Sequence, residues 1–332
     1  MSLDGVEIRP FRAGDEPGIL ETVNSSRRAE VTLEDWSWSY PPLAEGRTIV
    51  VALVDGRIVA HVGGVVSDIQ LDDRTVPGLA LVDDCVLESV GAAGERDRLL
   101  AEVTKTFLAE FGGGGGVPLI YRLAGDGENG ARSGFPGGTG VELPHVDVLS
   151  RRAAVSAPVR RFAFRAEPAR DWEPRLDRLW RRVRRSYSFA AVRDAEESLH
   201  RHAGHPVGRR HRFLVFPRFS RHAVAFAVFE TNVSRCRWVD LVWDHDEPGA
   251  LDLLSHLSRR LASQTGAMDE RIVLGGDAEG RRRLEKLGFR REGVLEDLSL
   301  TVFSLPPGVG IGDLRSRCYV TQTDLDPLRR LG

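Results

Sequence analysis

The sequence predicts an α/β fold built on mixed sheets, arranged as two units of similar kind. Three observations carry that prediction. Over 78–100 an apolar run at 79–87 gives way to a small-residue turn (Gly91, Ala92, Ala93, Gly94) and then to a helical pattern bearing Leu99, Leu100, Val103 and Phe107. Ahead of it, Asp55 and Gly56 join two β-branched runs, 48–54 and 57–66, as a tight hairpin requires. Beyond residue 160 the alternation begins again, with apolar runs at 222–229 and 236–243 and helical faces around Trp180 and over 250–261. At 332 residues and 42% apolar content, the chain is long enough to bury two cores.

In chain order, 6–11 reads as a first strand, 12–15 as a turn and 16–26 as a helix. Trp36, Trp38 and Tyr40 form an aromatic group suited either to capping a helix against the core or to walling a cleft. In the hairpin that follows, His61 reads as a structural histidine or one facing a cleft. The strand at 79–87 carries Asp83 and Asp84 in tandem, and alternation sends their side chains to opposite faces, so at most one enters a given cleft. A carboxylate there can take a proton from an ammonium group. The turn at 91–94 gathers backbone N–H groups at the positive end of a helix dipole, an arrangement suited to an anion such as a diphosphate.

Glycines at 112–116 end that helix, 117–121 is a strand ending in Tyr121, and the glycine density over 125–140 argues against a helix there. The strand at 143–149 is expected to close the first unit, with 150–158 as linker. The second unit then runs strand (160–165), helix (172–186), paired strands, helix (250–261), strand (271–274) and a helix from 278 that stops at Gly288. Its strand at 236–243 leads into the acidic turn Asp244-His245-Asp246-Glu247, so no coenzyme is expected at that turn.

A formal charge of −2 and a pI near 6.5 supply no basic field for nucleic acid or an anionic membrane, and neither is expected as a partner. The three cysteines (Cys85, Cys236, Cys318) are widely spaced and lack metal-ligand spacing, so neither a disulfide framework nor a metal site is expected and a cytoplasmic setting fits. The amino-terminal residues lack the basic and apolar regions of a signal peptide, and no window has the length of a membrane span.

The order of these motifs resembles the GNAT (acyl-CoA N-acyltransferase) superfamily, and in particular its tandem proteins with two GNAT-like domains. The opening strand with Arg9-Pro10, then Gly14-Asp15 and a helix, is one such motif. The segment 91–96 aligns with the family's Gln/Arg-x-x-Gly-x-Gly/Ala loop, matching at Gly94. Asn129, Ala131, Gly134 and Phe135 keep a shortened form of a later motif. Arg193-Asp194, Arg201, His205-Pro206, the stretch from Leu284 to Phe289, and Tyr319, Thr321, Asp324 and Asp326 near the end complete the set.

The resemblance implies a first GNAT-like domain at 1–150 and a second, non-catalytic one at 159–326. It further implies transfer of an acetyl or other acyl group from acetyl-CoA, as cosubstrate, to an amine of a small molecule or peptide. The backbone at Cys85, Val86 and Leu87 would pair with pantetheine. Gly91, Ala92, Ala93, Gly94, Glu95 and Arg96 would surround the diphosphate, with Asn129 also at the coenzyme. Asp83 or Asp84 would accept the amine's proton, and Tyr121 or Ser133 would protonate the departing thiolate. Glu95 sets a negative charge beside the expected anion and Arg96 a long side chain where the family keeps a small residue. The alternative is therefore a catalytically silent scaffold that binds a ligand or partner in the cleft between the domains.

Overall fold

The computed structural model describes residues 5–27, 30–40, 47–112, 116–125, 138–143, 146–153, 163–203, 209–294, 298–310, 314 and 318–325. The first half holds strands β1 (Val6–Pro10), β2 (Ile49–Val54), β3 (Arg57–Leu71), β4 (Arg74–Val86), β5 (Leu119–Gly125), β6 (Thr139–Glu142) and β7 (Asp147–Arg152), with helices α1 (Glu16–Arg27), α2 (Leu33–Ser39) and α3 (Ala93–Gly112). The second holds β8 (Phe164–Pro168), α4 (Arg175–Val183), β9 (Phe189–Ala191), α5 (Ala195–His202), β10 (Arg209–Pro217), β11 (Ala225–Thr231), β12 (Arg235–Trp243), α6 (Gly249–Thr265), β13 (Asp269–Gly275), α7 (Ala278–Lys286), β14 (Arg290–Val294), β15 (Leu298–Ser304), β16 (Val320–Thr321) and α8 (Gln322–Leu325).

Alternation in the hairpin builds the first core. Val50 and Ala52 of β2 join Leu79 and Leu81 of β4 beneath Leu99, Leu100, Val103 and Phe107 of α3. Ile49 and Val51 point the other way, to Ile19 and Val23 of α1 and to Trp36 and Tyr40 near α2. Each of the large α3 side chains contributes about 1.5–3 kcal/mol by burial, and Phe107, fully buried, is the one whose truncation would damage this layer most. α2 starts on a capping box: Thr32 accepts from the Asp35 N–H while Asp35 accepts from the Thr32 N–H.

The described strands form two eight-stranded mixed sheets. The first runs β1-β2-β3-β4-β5-β15-β6, with β9 on the end of β3; the second runs β14-β7-β13-β12-β11-β10-β8, with β16 on β13. The sheets thus exchange strands across the sequence. β7, expected to close the first unit, pairs with β13 and β14 in the second sheet, while β15 crosses back to pair with β5 and β6 in the first. Pairing covers the outer edge of β5, and Leu300 and Val302 of β15 bury against Tyr121 and Val148 in an apolar cluster shared by both units. No pattern within β7 or β15 itself distinguishes its own sheet from the neighbouring one.

Candidate functional site

The first sheet opens into a fork. β4 and β5 run parallel and are bonded only from Gly78↔Leu119 to Ala80↔Tyr121. Beyond that point β4 follows β3 up to Val86, and β5 follows β15. The register of β4 against β3 shifts between Gly63 and Gly64 and skips Val82, a bulge that turns β4 away from β5. The Leu87 N–H donates to the Val59 carbonyl (2.8 Å), so by antiparallel alternation the backbone groups of Val86 and Asp84 point into the fork. Cys85 and Leu87 direct theirs toward β3.

At the mouth of the fork lies a cleft between the two units. The first unit supplies Trp38, Ser39, Val65, Ser67, Val82 and Tyr121; Glu197, His200 and Arg201 of α5 and Asp324 of α8 close it from the second. Arg201 is held between Glu197 (3.0 Å) and Asp324 (3.2 Å). Burial, reinforced by Asp324 and Glu197, raises the Tyr121 phenol well above its usual range against the opposing pull of Arg201 and the bond to Ser67. It is therefore fixed as a protonated donor. Tyr121 meets Phe189 edge-on at 5.2 Å, a contact that crosses between the units.

The two expected aspartates diverge, as alternation requires, and both acquire partners. Asp84 bridges to Arg122 of β5 across the fork (2.9 Å). Asp83 turns into the core beneath α1 and α2, where its Oδ2 lies 2.9 Å from His61 Nε2, both side chains fully buried. Burial alone would lower the His61 pKa; Cys85 and Asp83 more than offset it and lift it to about 10. Neither aspartate lines the cleft. Of the side chains that do, Tyr121 belongs to the expected catalytic set, whereas Glu197, His200, Arg201 and Asp324 lie outside it, although Arg201 and Asp324 belong to the motifs that carry the resemblance.

The expected diphosphate loop has an anion of its own. Gly91 sits at φ 138°, and Glu95 Oε2 lies 2.2 Å from where a Cβ on Gly91 would be, filling the room the glycine leaves. The same Oε2 accepts from the Ala92 N–H (3.0 Å). Arg96 Nη1 turns back to the carbonyls of Gly91 (2.6 Å) and Glu88 (3.3 Å). A diphosphate taking the Ala92 amide would have to displace the Glu95 carboxylate from it. Asn129 and Ser133 lie outside the described residues.

The second sheet forks in the same way and fills the opening. β12 and β13 are bonded only from Arg235↔Asp269 to Trp238↔Ile272. β16 then pairs with Leu274 and Gly275 inside the gap. The Tyr319 hydroxyl donates to the Leu241 carbonyl of β12, and Thr321 donates to Asp240 (3.0 Å). Arg193 donates to Asp240 (2.9 Å) and pairs with Asp324. Because Arg210 donates to His202 Nδ1 (2.9 Å), His202 carries its proton on Nε2, facing Asp240 at 3.2 Å. Burial first, with Arg210 and Arg201 adding to it, pushes His202 down to about 4 despite Asp240. Arg193 and His202 hold Asp240 well below the usual carboxylate range, against the opposing effect of burial.

Two parallel forks, each beside a strand that leads into a helix, decide the architecture. The chain has the tandem GNAT fold. A GCN5-related N-acetyltransferase from Anabaena variabilis ATCC 29413 matches with TM-score 0.64 at 10% identity, over 89% of this chain and 72% of that one. A tandem GNAT protein from the clavulanic acid biosynthesis pathway matches with TM-score 0.58 at 12% identity, over 92% of this chain and 100% of that one. The N-myristoyltransferase of Saccharomyces cerevisiae, solved with bound myristoyl-CoA, matches with TM-score 0.59 at 13% identity, over 96% and 85%. No sequence-family model matches the chain, and no curated protein matches it. Among the described residues no helix is long and apolar enough to cross a membrane.

Proposed function

We propose that the first GNAT-like unit is an N-acyltransferase that takes its acyl group from a pantetheine thioester, acetyl-CoA being the simplest, and passes it to an amine of a small molecule or peptide. The observation that carries this reading is the fork between β4 and β5, which opens on the cleft lined by Tyr121 and α5. The backbone of Val86 and Asp84 pairs with the arm in the fork. The acceptor enters between α2 and α5, where Glu197 and Asp324, both paired to Arg201, offer carboxylate oxygens to its N–H groups. His200, exposed on the cleft wall, takes the proton the amine must lose, and Tyr121 donates to the leaving sulfur. Asp83 takes no part in this scheme, since it is sealed against His61.

A second reading, a silent scaffold that uses the cleft only to bind, is favoured by Glu95 on the Ala92 amide. Calorimetric titration of the full chain with acetyl-CoA and with acetyl-pantetheine separates the two. Micromolar binding of acetyl-CoA that tightens in Glu95→Gln supports the transferase. Absence of heat with either thioester, in the wild type and in Glu95→Gln alike, supports the scaffold.

A further inference from the structure

The polar wall of the cleft is largely paired within itself. Arg201 divides its guanidinium between Glu197 and Asp324, and Arg193 behind them joins Asp324 to Asp240. Tyr121 is hydrogen-bonded to Ser67. Thr323 of α8 breaks this pattern. It lines the cleft and is 5% exposed, yet its hydroxyl is the one buried polar side-chain group among the described cleft residues without a hydrogen-bond partner. The Thr321 hydroxyl, two residues earlier on the same segment, is bonded to Asp240 (3.0 Å). A buried hydroxyl without a partner costs free energy that a bound group can recover.

The surroundings restrict what that group can be. A carboxylate brought to Thr323 would face Asp324 and Glu197 with Arg201 already shared between them, so a further anion is disfavoured. A neutral carbonyl meets no such opposition and accepts from the hydroxyl. Thr323 and Asp324 are consecutive residues of α8 and both line the cleft. A ligand whose amine meets Asp324 therefore needs its second polar group close by, as in an amine and a carbonyl borne on one carbon. Trp38, Val65 and Val82 of the first unit add apolar surface to the same cleft.

We infer that Thr323 determines acceptor specificity by donating to a neutral carbonyl beside the reacting amine, and that the acceptor is an α-amino amide with an apolar side chain, the chemistry of a peptide's amino terminus. The inference rests on the reading of the cleft as the acceptor site. The amine's N–H groups meet Asp324 and Glu197, the carbonyl meets Thr323, and the side chain lies on Trp38, Val65 and Val82. Free amino acids are excluded by their carboxylate, and plain alkylamines leave Thr323 without a partner. Because Arg193 holds α8 in place through Asp324, the second unit sets the specificity of the first.

The test is calorimetric titration of the full chain, without thioester, with phenylalaninamide, phenylalanine and phenethylamine. Phenylalaninamide is expected to bind about tenfold more tightly than either of the others. Thr323→Val, which keeps the shape and removes the hydroxyl, should bring the amide down to the level of phenethylamine, and Thr323→Ser should restore its advantage. Wild type that binds the three alike, prefers phenylalanine, or gives no heat with any of them at millimolar concentration would overturn the inference whether or not the variants fold. So would a folded Thr323→Val that keeps the preference. Acetyl transfer from acetyl-CoA is assayed separately: phenylalaninamide that binds as described and is never acetylated counts against the transferase reading alone, whereas acetylation of phenylalaninamide and phenethylamine with equal KM counts against the inference alone.

Discussion

The same fork occurs twice in this molecule, with opposite outcomes. Separating two parallel strands leaves backbone amides and carbonyls that must find partners. In the second unit the chain's own end supplies them: β16 lies in the gap, Tyr319 bonds the Leu241 carbonyl, and Arg193 joins Asp240 to Asp324. In the first unit the described residues bridge the fork with Arg122 and Asp84 and leave a cleft in front of it. The fold is thus permissive. What occupies the fork decides whether it is a binding site or a structural keystone, and the keystone of the second fork also positions Asp324 in the cleft of the first.

Cutting the chain within 154–158 should have the largest effect. Each half would lose a strand to the other, so neither is expected to fold alone, and the two forks would prove to be parts of one cooperative body. Circular dichroism and sedimentation of the separately expressed halves read this; two folded, monomeric halves would break the comparison.

Next in size, Asp240→Ala should destabilise the chain by about 3–5 kcal/mol in urea denaturation, because it leaves Arg193 buried beside fewer charges. Asp84→Ala, which breaks a pair less deeply buried than Arg193–Asp240, should cost less, about 1–2 kcal/mol. Equal costs would mean that the forks do not differ as described.

Acidification should weaken the second unit first. Unfolded His202 takes up a proton near 6.5, whereas the native residue resists until about 4, so the unfolded state binds more protons between those values. Stability should fall as pH drops through that window, by on the order of 3 kcal/mol. His202→Gln should flatten this part of the profile, and an unchanged profile would show that His202 is already protonated in the native state.

The smallest effect sharpens the view of the first loop. Glu95→Gln removes the resident anion while preserving size, and should tighten acetyl-CoA binding about tenfold, worth about 1.4 kcal/mol. Weaker binding in the variant would mean that Glu95 supports the loop rather than competing for its amides.

Much of the scaffold was legible in the sequence. Asp55-Gly56 fixed the hairpin, the Leu99, Leu100, Val103 and Phe107 spacing fixed α3, and the tandem acids Asp83 and Asp84 diverge as alternation demands. The strand at 298–304 is not among the elements assigned from the sequence, although its apolar alternation is visible in Leu298, Leu300 and Val302. The cleft was not legible. Tyr121 was singled out, but Glu197, His200, Arg201 and Asp324 reach it from far along the chain, and no local pattern records that encounter. Nor does the spacing of His61, Asp83 and Cys85 announce a cluster, because contacts between neighbouring strands are set by register and not by separation in sequence.

Sequence alone determined the elements and their periodic faces, because hydrophobic alternation and turn chemistry act over a few residues. Tertiary structure decided which sheet β7 and β15 join, which fork is filled, and where the buried charges of Asp83 and Asp240 find partners. Those outcomes depend on competition between distant segments for the same strand edge or the same buried charge, a competition settled only when the whole chain is packed.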